Sequence, residues 1–196
     1  MSKISTRKEI EVLRAETYLV IAHLFIEPPT DQLLRTINER YSEYDPGDSW
    51  IGSWHELASA AQKNNKKKLE DEFHRLFVGV CRGEILPYAS WYLSGFLHET
   101  PLMSLRAELA GLGISSNTNS CPEPEDHISL ICEVMSILII NGEVKQRDFF
   151  DKYILSWACE FFADLINSKS SNFYKYVGKF SLKFIEKEQE YLQMQR

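Results

Sequence analysis

The chain has 196 residues, of which 44% are hydrophobic and 12% aromatic, enough to bury a real core as one domain without disulfides or a structural metal. Nine glycines and seven prolines are too few for the many turns of a β-sandwich or barrel, and the collagen-like, disordered and disulfide-rich classes are excluded. The net charge of −6 argues against a nucleic-acid or anionic-membrane surface and favours cationic partners.

Thr6-x-x-Glu9 reads as a capping box, and apolar residues at Ile10, Leu13, Val20, Ile21, Leu24 and Phe25 continue to a stop at Pro28-Pro29. A second helix starts near Thr30, carries Leu33, Leu34 and Ile37, and ends before the turn-forming Asp45-Pro46-Gly47. Trp50, Trp54, Leu57, Ala58 and Ala61 form the stripe of a third amphipathic helix. The basic run Lys63 to Lys68 reads as solvated surface, after which Leu69, Phe73, Leu76, Phe77 and Val80 mark a fourth helix that fades at Gly83. Residues 83–95 are irregular and rich in aromatics, with Ser90 placed to cap a helix that begins there. Thr100-Pro101 reads as an N-cap with proline in the first turn of a helix that stops at Gly111 and Gly113.

The polar stretch from Ile114 to Cys121 is the best linker in the chain. It makes 113–122 a candidate hinge within a single domain over 1–196, and exchange through it would give a minor swapped dimer beside a monomer. Three helical patterns follow: Ile128 to Ile139, Phe149 to Leu165, and Phe173 to Ile185. Every apolar pattern has a period of three to four and none alternates, so the expected fold is all-α.

Cys81, Cys121, Cys132 and Cys159 form no C-x-x-C pair, so neither a zinc cluster nor a thioredoxin-like motif is expected, and a reducing cytoplasm suits them. They read as small buried hydrophobes. The N-terminus lacks the apolar core of a secretion signal, and the uncharged apolar stretch Val134 to Ile140 is far short of the roughly 20 residues of a spanning helix. No metal and no cofactor is expected.

No H-E-x-x-H, G-x-S-x-G, Walker loop or G-x-G-x-x-G is present. His23, His55, His74 and His98 are isolated and read as packing or surface residues. Two segments carry more. Glu123-Pro124-Glu125-Asp126-His127 stands where the linker becomes a helix, where negative charge gains about 0.3–1 kcal/mol from the helix dipole. That dipole discourages protonation of His127 while Asp126 encourages it, so the ring is expected to respond to a bound ligand near neutral pH. A Ser90–His127–Asp126 triad is disfavoured, because neighbouring helical residues project about 100° apart. The second segment is Pro87-Tyr88-x-Ser90-x-Tyr92, a fixed backbone with two amphipathic rings.

Leu76-Phe77, Pro87-Tyr88-x-Ser90-x-Tyr92, Glu123 to His127 ahead of an apolar helix, and Phe149-Phe150 with Trp157 together resemble the TorD/DmsD family of redox-enzyme maturation chaperones. The motifs span about residues 70 to 165, and length and helical layout extend the resemblance to the whole chain. Ala89 departs from the acidic residue common between Tyr and Ser, and Tyr153 from the histidine that often precedes the Leu-x-x-Trp stretch, here Ile154 to Trp157.

The resemblance implies a helical cytoplasmic chaperone, not an enzyme. Its implied client is the precursor of a molybdopterin oxidoreductase of the DMSO/TMAO reductase or formate dehydrogenase type, used in anaerobic respiration. The chaperone would bind the precursor's twin-arginine leader and hold back export until molybdopterin is inserted. Leader contacts carried over are Leu76, Phe77, Pro87, Tyr88, Ser90, Asp126 and His127. Residue type fits: Tyr88 and Phe77 would wall an apolar groove while Asp126, with Glu123 or Glu125, would meet arginines. Two alternatives are a helical enzyme or nucleotide-binding protein using Asp126 and His127, and a helical adaptor with no leader preference.

Overall fold

The apolar stripes close into helices in the computed structural model, which describes residues 7–41, 49–80, 82–97, 99–115 and 123–194. Among these residues there are ten α-helices and two π-helical turns, and no strand. The Thr6 cap, the Asp45-Pro46-Gly47 turn, Cys81, His98, Cys121 and residues 116–122 of the candidate hinge lie outside the described residues.

The first unit comprises residues up to Ala22 together with Tyr88–Trp157. It takes in most of α1 (Arg7–Ile26), then α5 (Ala89–Ser94), α6 (Thr100–Gly111), α7 (Ile128–Ile140) and α8 (Gln146–Phe150). The π turn Asp151–Leu155 follows. Its interior is built from Leu102, Leu105 and Leu109 of α6, Ile128, Ile131, Met135 and Leu138 of α7, and Phe149 and Phe150 of α8, all buried. The 113–122 stretch is flanked on both sides by residues of this unit.

The second unit, His23–Pro87 with Ala158–Arg196, holds α2 (Asp31–Tyr41), α3 (Ser49–Lys63), α4 (Lys66–Phe73), α9 (Ala158–Asn167) and α10 (Tyr174–Met194). Helix α10 packs on both α9 and α3. At Gly178 it approaches so closely that a Cβ would stand 3.0 Å from Ile166 Cγ1 and 3.1 Å from the Phe162 carbonyl oxygen. The Trp54 ring meets Phe180 edge to face at 4.6 Å, and the Trp54 indole N–H donates to the Ile37 carbonyl at 3.0 Å. Phe25, Phe73, Phe77, Phe161, Phe162 and Tyr174 form a connected aromatic cluster.

Two helices differ from their periodicity. The fourth stripe leaves α geometry after Phe73, widens into a π turn over His74–Val78 and stops at Gly79. Val80 is therefore fully exposed rather than on the helix. The Gly79 N–H reaches back to the His74 carbonyl at 2.6 Å, while Ile85 N–H serves the Leu76 carbonyl at 2.9 Å, so the returning chain satisfies a carbonyl the helix end would orphan. Gly79 has φ of 63°, and a Cβ there would fall 2.0 Å from the Arg82 carbonyl oxygen, which makes this turn a glycine position. The Phe149 to Leu165 pattern is likewise split into α8, a π turn and α9. At the start of α6 the N-cap is Glu99 rather than Thr100, a shift of one residue.

Candidate functional site

Tyr88, the residue after Pro87, is extended, with φ −125° and ψ 132°. Helix α5 therefore starts at Ala89 without a cap from its own N-cap side chain. The donors of its first turn go elsewhere. Ala89 N–H donates to the Asp126 carbonyl oxygen at 2.9 Å, and Ser90 N–H donates to Asp126 Oδ2 at 2.9 Å. Ser90 is thus a capped residue inside the helix, not the cap expected from its type, and its own hydroxyl is fully buried.

Asp126 is only 1% exposed. Its carboxylate serves the positive end of α5, the location where the helix dipole rewards negative charge, rather than the helix that follows it in sequence. That following helix, α7, is capped by His127, whose Nδ1 accepts the Ser129 N–H at 3.3 Å and pairs with Ser129 Oγ at 2.6 Å. Nδ1 is therefore an acceptor, and the ring is neutral. Burial pushes its pKa down to about 3, because a charged imidazolium would lose its hydration with no counter-ion bonded to it. This corrects the expectation of a ring that titrates near neutrality. These two sequence neighbours do not bond to one another as a triad would need: Asp126 is turned to α5 and His127 to Ser129.

Tyr88 and His127 lie side by side as an isolated antiparallel bridge, their rings edge to face at 5.1 Å. The half-buried Tyr88 hydroxyl donates to Glu123 Oε2 at 2.7 Å. Glu125 accepts Arg106 Nε–H at 2.8 Å, a pairing across 19 residues that sequence reading missed. So Tyr88, Ser90, Asp126 and His127 are brought together within the first unit, with Glu123 against the tyrosine. The faces still accessible belong to Tyr88 and the two glutamates; Ser90, Asp126 and His127 are buried beneath.

Leu76, Phe77 and Pro87 belong to the second unit. Leu76 is fully buried and Pro87 is buried. Half-buried Phe77 sits edge to face with Phe73 at 5.2 Å and with Tyr174 at 5.0 Å, at the rim of the aromatic cluster. The signature Trp157 is a structural residue of the first unit, its indole N–H donating to the Tyr153 carbonyl at 2.7 Å. Tyr153 in turn donates through its hydroxyl to the Ser104 carbonyl at 3.2 Å. Among the described residues no His/Cys/Asp/Glu cluster could hold a metal ion, and no helix is long and apolar enough to cross a membrane. Buried Cys132 has its thiol pKa raised, by burial first and the neighbouring Glu133 charge second.

Residues 47–163 match the family model described as nitrate reductase delta subunit. The chain is 26% identical to the chaperone protein TorD of Vibrio parahaemolyticus, covering 91% of this chain and 94% of that one. It is 23% identical to a probable Tat proofreading chaperone DmsD of Haemophilus influenzae, over 85% of each. Among solved structures, a putative redox enzyme maturation protein from Archaeoglobus fulgidus aligns with a TM-score of 0.63 at 20% identity, covering 95% of this chain and 99% of the other. That likeness establishes the shared helical fold.

Proposed function

Since the chain belongs to the nitrate reductase delta subunit family, with the TorD and DmsD chaperones among its relatives, we propose that it is a cytoplasmic chaperone of molybdoenzyme maturation that binds the twin-arginine leader of its client precursor before export. The observation that carries the reading is the Tyr88–Glu123 pair: a half-buried aromatic ring whose hydroxyl holds a carboxylate at 2.7 Å. An arginine guanidinium is recognised by such a combination, stacking on the ring while its fork meets the carboxylate. Glu125, two residues on, is a second carboxylate, held by Arg106 at 2.8 Å.

The buried members of the motif have a supporting part in this reading. Asp126 fixes the start of α5 and His127 backs the Tyr88 ring, so both set the position of Tyr88 without touching the leader. On the second unit, taken by itself, Phe77 is half-buried while Leu76 and Pro87 lie beneath the surface. Against the alternative of an enzyme using Asp126 and His127, both side chains are engaged and inaccessible to a substrate-sized group.

Calorimetric titration of a twin-arginine leader peptide tests this. Tyr88→Ala should cost about 1–3 kcal/mol of affinity, the scale of an aromatic anchor. Glu123→Gln should weaken binding and flatten its salt dependence. A leader in which both arginines are replaced by glutamine should bind far more weakly. Equal affinity for the two leaders, or for wild type and both variants, overturns the proposal.

A further inference from the structure

The second unit carries a cavity of about 670 Å³ along the C-terminal half of α3 and the first turns of α10. That size lies within the range of small-molecule sites, and is larger than one phosphate would fill. Its charged lining is Lys63, Lys175 and Lys179 against the lone carboxylate Glu56, with His55 beside them. Three lysines thus line one cavity of a chain whose net charge is −6.

Their pairing is incomplete. Lys179 is held by Glu56 at 3.2 Å and stands 5.3 Å from the centre of the Tyr176 ring. The side chains of Lys63 and Lys175 have no hydrogen bond or ion pair among the described residues. The helix end is not the source of attraction, because Glu72 already accepts the N–H groups of Asn172, Phe173 and Tyr174. Three lysines against one carboxylate leave the charged lining net positive. Lysine binds phosphate as a point charge and each ammonium brings three donors, so several lysines around one cavity suit a ligand with several anionic oxygens.

We propose that this cavity binds a small anion carrying more than one phosphate group, independently of leader recognition. Glu56 would then act as a resident competitor, holding Lys179 in place and released from it when the anion binds.

Titration of the full chain with inorganic tripolyphosphate at low ionic strength tests the site, with melting curves confirming that each variant is folded. One-to-one binding that weakens as salt is added is expected. The Lys63→Gln/Lys175→Gln double variant should bind at least tenfold more weakly, and Lys175→Gln alone serves if the double variant does not fold. Glu56→Gln should bind several-fold more tightly. No binding at millimolar triphosphate, unchanged binding by the lysine variants, weaker binding by Glu56→Gln, or a preference for a glutamate-rich peptide over triphosphate would each overturn the proposal.

Discussion

Asp126 and Ser90, 36 positions apart, are joined by a 2.9 Å hydrogen bond from the Ser90 backbone N–H to the Asp126 carboxylate. With the Asp126 carbonyl taking the Ala89 N–H, one residue supplies the acceptors for the first two N–H groups of α5. Asp126→Ala should therefore lower unfolding free energy by about 1–3 kcal/mol, the cost of a lost side-chain cap and one unsatisfied buried donor, the Ser90 N–H. Asp126→Asn should lose less, since its amide oxygen still accepts. Urea melts measure both; an alanine variant as stable as wild type would refute the capping role.

His127 gives the protein an acid-sensitive window. Its folded-state pKa of about 3 lies below the unfolded value of about 6.5, so between these limits the unfolded chain binds the extra proton. Stability contributed by the neutral ring is complete above pH 6.5 and declines as pH falls toward 3, by at most ~5 kcal/mol. His127→Gln should flatten stability between pH 6.5 and 5.5, where few carboxylates titrate. Parallel slopes for variant and wild type there would show that the ring is protonated in the fold.

Glu72, 5% exposed, repeats the Asp126 device at larger scale. It accepts the N–H groups of Asn172 at 2.7 Å, Phe173 at 3.1 Å and Tyr174 at 2.8 Å, capping α10 from about a hundred residues away. Glu72→Ala orphans three donors and is expected to cost about 3 kcal/mol or more, with Glu72→Gln intermediate. Amide exchange at positions 172–174 should accelerate in step with the loss, and unchanged protection there would contradict the cap.

At Gly178, alanine brings a helix-propensity gain of about 1 kcal/mol. It also drives a Cβ to 3.1 Å from a backbone carbonyl of α9, an overpacking that costs about 1–3 kcal/mol. A backbone oxygen in a packed helix cannot swing aside as a side-chain end can. Gly178→Ala should lower the melting temperature and Gly178→Val should lower it further; a rise with alanine would mean that α9 and α10 separate easily.

The helices themselves were legible because helix formation is local. Their stripes recur within one or two turns, and breakers such as Pro28-Pro29 act on their own neighbours. The resemblance in the motifs likewise pointed to the family that the comparisons bear out. Tertiary structure decided which polar groups meet. Asp126 and His127 are adjacent in sequence, yet one caps α5 and the other caps α7. The π turns at 74–78 and 151–155 interrupt stripes whose apolar spacing gave no warning. The physical reason is common to both. Periodicity reports which side of a helix turns from water, whereas an acceptor for a helix-end donor is chosen by where the folded chain brings one within about 3 Å, and for Ser90 that position was 36 residues away.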